Sequence, residues 1–154
     1  MKKLFIIFLV AAFSLPVTAQ SYKGESKNKT ASEKLNDQYC TGLFKTTDGT
    51  IMDIASSSAS AYGNIIDWLE SRVSGLQVYT SRTGLSIPLI RGSVPGIYVD
   101  ENPVSVSYLN MMNINDIAIV KIIKTPFFGG FNSGSGAIAI YTFADEEEEN
   151  GDSK

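Results

Sequence analysis

Four groups of residues in this sequence carry atoms that could do chemistry. They are the adjacent carboxylates Asp100 and Glu101, the arginine Arg91 at the end of an apolar run, the single cysteine Cys40, and the glycine-rich stretch from Gly129 to Gly136. Paired carboxylates can share acid and base roles, but neighbours along an extended chain point to opposite faces. With Asn102-Pro103 following, the pair reads as a turn, and Asp100-Glu101-Asn102 is too short a ligand set for calcium. Arg91 is expected to form a structural ion pair with Asp100 or Asp116. Cys40 has no second cysteine to pair with inside the chain. It reads as a semi-buried small hydrophobe rather than an intermolecular bridge. A phosphate cradle needs Gly-Lys-Ser/Thr and a helix N-terminus, whereas the glycines lead into a strand-like run, so they read as a turn. The chain has no histidine. That removes the usual general base, Ser-His-Asp triads and nearly every common zinc or iron site. No catalytic, cofactor-binding or metal-ligating residue is therefore expected, and the chain is read as a non-enzyme.

Charge narrows the partners further. The chain has 13 basic and 16 acidic residues. Setting aside Lys2 and Lys3 and the charged residues of the last ten positions leaves ten of each sign, so the acidity is concentrated in Asp145 and Glu146 to Glu149. A neutral body without a basic face is a poor match for nucleic acid. Residues 145–154 read as a solvated, disordered acidic tail.

Residues 1–19 have the pattern of a secretory signal. Lys2-Lys3 precede the apolar run Leu4 to Leu15, and Val17-Thr18-Ala19 supplies the small residues that a signal peptidase reads. The run ends at Pro16 and falls short of the ~20 apolar residues that span a bilayer. The expectation is an exported protein of the periplasm or outer membrane, with no membrane-spanning segment in the mature chain. Residues 20–40 are mostly polar and read as a flexible linker. That leaves residues 41–144 as one domain.

The elements that must position these groups follow from periodicity. Ile117–Ile123 and Ala137–Phe143 are rich in β-branched and aromatic residues, with Pro126 and several glycines between them. Ile117–Ile123 is apolar on both faces, which predicts a strand covered on both sides. Asn64 to Ser74 places Ile65, Ile66, Leu69 and Val73 on one helical stripe, with Asn64 as cap, Gly75 as stop and Trp68 at or beside the stripe. Strands are expected at Leu76–Tyr79, Ile87–Arg91 and Ile97–Asp100, and a short helix at Tyr108–Met112. Asp48-Gly49 between apolar runs predicts a hairpin, and the serines at 56–60 a loop. The fold class is α+β: a small mixed sheet with one main helix and short helices.

Taken in order, these pieces resemble a known family. They are Val73-Ser74-Gly75-Leu76-Gln77-Val78, then Ile90-Arg91-Gly92, then Pro95-Gly96-Ile97-Tyr98-Val99-Asp100 through Val104. Leu109, Asn115 to Lys124, and Gly136 to Thr142 follow. From about Asn64 to Phe143 the sequence is similar to the plug domain of TonB-dependent outer-membrane receptors. That resemblance implies a transport-related domain and an outer-membrane barrel or another envelope protein as its partner. In that family, plug charges meet charges on the barrel wall, although no such role is assigned to Arg91. Two departures count against transport by this chain. It carries no repeated alternating segments of a transmembrane barrel, and no energy-coupling box stands in its polar N-terminal stretch. The expected function is a non-catalytic interaction module of the cell envelope. The alternative is a remnant or fragment of such a receptor or of a larger envelope protein, without independent activity, and an exported enzyme is disfavoured without histidine, a metal cluster or a triad. Binding is expected at the loops Ser81–Ser86, Ser93–Gly96 and Phe127–Gly134, where Phe127, Phe128 and Phe131 are either exposed or folded beneath the glycines.

Overall fold

A seven-residue run that is apolar everywhere except Lys121 can be satisfied only by burial on both sides. The strand β6 (Ile117–Ile123) has every residue buried. The computed structural model describes residues 29–129 and 133–143. In it, β6 lies beside β7 (Ala137–Thr142), the middle strand of a five-stranded sheet. The order is β1-β6-β7-β4-β5, where β1 is Thr50–Asp53, β4 is Gly96–Val99 and β5 is Asn102–Pro103. β4 and β7 run parallel and the other pairs are antiparallel, so the sheet is mixed. A register shift between Ile117 and Ile119 sets the alternation of β6. Ile117, Val120 and Ile122 join one core, whereas Ile119 and Ile123 join the other.

The first face is covered by the main helix α3 (Ile65–Glu70), by α4 (Val106–Met111), and by a separate two-stranded ribbon of β2 (Leu76–Thr80) and β3 (Ser86–Ile90). Asn64 caps α3 as its side chain predicts, accepting from the Ile66 amide at 2.8 Å. Ile65, Ile66, Trp68 and Leu69 are all buried. The helix stops sooner than its apolar stripe. Arg72 N donates to the carbonyl of Leu69 at 3.0 Å, which tightens the last turn, and Val73 reaches the core from beyond the helix. Gly75 stands at φ +81° as the expected stop. The Arg72 guanidinium lies 4.3 Å over the Trp68 ring, so Trp68 belongs to the buried stripe with a cation on its outer face.

The ribbon manages its own edges. Pro88 pairs with Val78, whose amide turns away from the ladder to Glu70 Oε1 at 3.0 Å. Pro88 therefore sits where its missing donor costs nothing. On the other edge, Asn110 of α4 brackets Ser86. Its Oδ1 accepts from Ser86 N at 3.0 Å, and its Nδ2 donates to Ser86 O at 2.8 Å.

Several sequence expectations are corrected here. Part of the expected flexible linker is the helix α1 (Ala31–Tyr39), because Thr30 and Glu33 form a reciprocal capping box. Leu43-Phe44 is helical, within α2 (Gly42–Thr46), so Asp48-Gly49 joins a helix to β1 and makes no hairpin; β1 pairs with β6 instead. Ser58–Ala61, expected as loop, forms a 3-10 turn. The short helix α4 starts at Val106 rather than Tyr108, where Ser105 supplies the cap. The signal sequence and the acidic tail lie outside the described residues.

The second face is covered by α1, α2 and Phe127. Phe44, Tyr98 and Phe127 meet there with ring centroids 4.7 to 5.6 Å apart, a spacing that favours edge and tilted aromatic contact.

Candidate functional site

Asp100 and Glu101 form the two-residue tip of the β4–β5 hairpin, since Val99 pairs with Asn102. Both stand at positive φ, +47° and +67°, which is the backbone of a type I′ turn. The turn expected at this pair is thus present, with Asn102 already in β5. The two carboxylates serve different partners. Asp100 accepts from Thr142 N at 2.9 Å and Thr142 Oγ1 at 2.8 Å. Glu101 accepts from Thr41 N at 2.6 Å, from Thr41 Oγ1, and from the Tyr141 hydroxyl at 3.1 Å. Two carboxylates committed to separate anchors do not share a proton, so the geometry gives no acid/base pair. A shallow hollow of about 600 Å³ opens here, lined in part by Tyr39, Tyr141 and Phe143.

Burial pushes the Glu101 carboxyl up, but the hydrogen bonds from Thr41 and Tyr141 outweigh it and hold the group below the usual carboxylate range. A depressed folded value contributes stability above the unfolded carboxylate pKa, and that contribution is lost as pH falls through the folded value. Attachment of the Thr41 segment should therefore weaken below about pH 4. Acid titration of stability in Glu101→Gln should show a flatter acid limb than wild type; identical limbs would remove Glu101 as the anchor.

Arg91 departs from expectation. Among the described residues the ion pairs are Lys29–Asp37 and Lys45–Asp37, and Arg91 belongs to neither. Asp100 is occupied by Thr142, and Arg91 lies in a second tight turn instead. Ile90 N donates to Ser93 O at 2.9 Å and Ser93 N to Ile90 O at 3.1 Å, with Arg91 at φ +54° and Gly92 at +77°. Arginine is an unusual choice where Asn-Gly is the favoured pair. Its side chain is exposed beside an open hollow of about 610 Å³ that Ser93, Val94, Gly134 and Ser135 complete. Ser135 Oγ donates to the carbonyl of Val94 at 2.9 Å, fastening the two walls.

Described residues of two of the three expected binding loops thus converge, Ser93 and Val94 with Gly134. The third lies at the opposite end of the ribbon, beyond the Thr80–Ser86 pair, and Ser86 itself is buried in β3. Phe127 is buried against Phe44, Tyr98 and Gly129, and Phe128 is 83% exposed. Phe131 lies outside the described residues. Cys40 is a free, buried thiol raised by burial.

The group that sequence reasoning missed is Lys121. It is 2% exposed, in the second-most interior strand of the sheet. Its ammonium donates to Asn36 Oδ1 at 2.7 Å and to the carbonyl of Phe44. No carboxylate pairs with it among the described residues, and burial lowers its pKa. The signal was present: one charge inside a run that had to be covered on both sides. No helix among the described residues is long and apolar enough to cross a membrane.

No protein-family profile and no curated protein matches the chain. Solved structures do. The RagAB peptide importer in its open-open state matches with a TM-score of 0.52 at 24% identity, over 62% of this chain and 12% of that one. The ferric yersiniabactin uptake receptor FyuA of Yersinia pestis matches with a TM-score of 0.50 at 18% identity, over 66% of this chain and 18% of that one. The ferric enterobactin receptor PfeA of Pseudomonas aeruginosa matches with a TM-score of 0.52 at 13% identity, over 75% of this chain and 19% of that one. The chain therefore carries a fold found within TonB-dependent outer-membrane receptors, in agreement with the plug resemblance. It spans less than a fifth of the length of each, and the named neighbours are transport receptors rather than enzymes.

Proposed function

We propose that this protein is a non-catalytic, plug-like interaction module of the cell envelope that acts with an outer-membrane barrel or a surface complex. The observation that carries the reading is the match of this α+β fold to a segment of outer-membrane uptake receptors. A domain of that kind works through the surfaces it presents. The candidate surface is the hollow beside Arg91, where an arginine without an acid partner among the described residues is held in a backbone region that L residues rarely adopt. Such strain persists where the surroundings over-determine it and is a pointer to function. Arg91 presents five donors in a planar fork that fits a partner carboxylate.

The test is crosslinking in the native envelope with wild type and Arg91→Asn. Asparagine accepts the left-handed turn at less cost, so the variant should be at least as stable as wild type. It should nonetheless lose most of the barrel or surface protein recovered by crosslinking. Equal recovery would remove Arg91 from the interface. No envelope partner with either protein would defeat the module reading.

A further inference from the structure

The cover of the second face is poorly matched to what lies beneath it. The segment Thr30–Thr47 contributes only two buried side chains, Cys40 and Phe44, and α1 contributes none. Beneath it lie two polar groups that docking strips of water. Among the described residues the Lys121 ammonium donates to neutral oxygens, Asn36 Oδ1 and the Phe44 carbonyl, both supplied by this segment, and the Asp48 carboxylate acts on it through space without pairing. Among the described residues the buried Tyr98 hydroxyl has no hydrogen-bond partner. The first face has a contiguous apolar core in which Ser86 is hydrogen-bonded to Asp67, and its one orphaned donor among the described residues, Trp68 Nε1, belongs to the edge of the main helix beneath the Arg72 guanidinium.

We propose that Thr30–Thr47 is a strap that lifts as one unit from the second face while the sheet and its first-face core stay folded. Lifting returns water to Lys121 and Tyr98, and that gain offsets the loss of packing by Phe44, Cys40, Leu35 and Tyr39. Burial of an unpaired hydroxyl or of a charge without a counter-ion is costly, so this unit opens at a lower free energy than the whole domain. The Thr41–Glu101 hydrogen bonds, which involve backbone and side chain of Thr41, are the hold that must release. The face uncovered carries Tyr98, Ile119, Lys121, Ile123 and Tyr141, so the strap controls access to an aromatic and cationic surface. This inference stands on the packing of the chain and is independent of the envelope role.

Cys40, the sole cysteine and 1% exposed, reports the motion directly. The experiment is reaction of the full chain with an aromatic disulfide reagent in native buffer, comparing wild type, Leu69→Ala and Tyr98→Phe. Leu69 lies in the first-face core, away from the strap. If the strap lifts alone, Leu69→Ala leaves the labelling rate within about twofold, because only global unfolding is eased. Tyr98→Phe slows labelling about fivefold or more, because docking no longer buries an unsatisfied hydroxyl. Acceleration by Leu69→Ala of about 30-fold or more would mean that Cys40 is reached only through global unfolding, and would overturn the proposal. An unchanged or faster rate in Tyr98→Phe would overturn it too. Should Leu69→Ala not fold, Ile138→Val tests the same point: a rate equal to wild type supports the strap, and a several-fold rise sinks it.

Discussion

Replacing Gly136 with alanine is expected to remove about 3–5 kcal/mol of stability, a loss near the upper end for a single methyl group. Gly136 stands at φ +105°, and a Cβ there would lie 2.2 Å from the carbonyl oxygen of Ile123 and 3.3 Å from its carbonyl carbon. Neither atom can yield easily. Ile123 is the fully buried last residue of β6, and Ala137, the next residue along, pairs with both Ile123 and Gly96. The carbonyl of Gly136 also accepts from Gly96 N at 3.0 Å. Relieving the contact therefore means moving the entry of the middle strand against two neighbours at once. Chemical denaturation of the variant should show a midpoint far below wild type, and a midpoint within experimental error would show that β7 enters the sheet some other way.

Leu69→Ala is expected to cost about 2–5 kcal/mol. Leu69 is fully buried in the first-face core with Ile65, Ile66 and Val73, which α3 and its closing turn bring against the sheet. It shares that core with Ile117, Val120, Ile122, Ile138 and Ile140 of β6 and β7, β-branched side chains stiff at χ1 that adapt poorly to a space left among them. Leu43→Ala makes the contrast, because Leu43 is 49% exposed and should change stability by less than ~0.5 kcal/mol. Equal midpoints for Leu69→Ala and wild type would take α3 out of the core.

The central strands, the main helix and the turn at Asp100-Glu101 were legible because each carries its cause locally. An apolar run with β-branched residues on both faces requires two-sided cover, and Asn64 with Gly75 marks the ends of a stripe that only a helix can bury. The helix α1 was equally legible in principle, since Thr30 and Glu33 are spaced for a capping box. Polarity hid it: a helix that buries none of its side chains fully leaves almost no apolar stripe to read. Leu43-Phe44 and Asp48-Gly49 misled for a related reason. A two-residue apolar patch carries no period, and the partner of β1 was β6, about 70 residues away in sequence rather than the next strand.

By itself the sequence determined the chemistry that is missing and the order of the pieces. Without histidine no Ser-His-Asp triad or imidazole metal site can be assembled, and one cysteine cannot close an internal disulfide, whatever the fold. Tertiary structure alone decided where the charges went. Arg91 was free to meet Asp100 until Thr142 took that carboxylate, and Glu101 became an anchor only because Thr41 and Tyr141 arrive beside it. Lys121 could be seen to be buried, but not what would hold it: Asn36 and Phe44 reach its ammonium from 85 and 77 residues away. A side chain's periodicity is fixed by its neighbours in sequence, whereas the partner of a charge is fixed by whichever distant backbone the packing delivers to it.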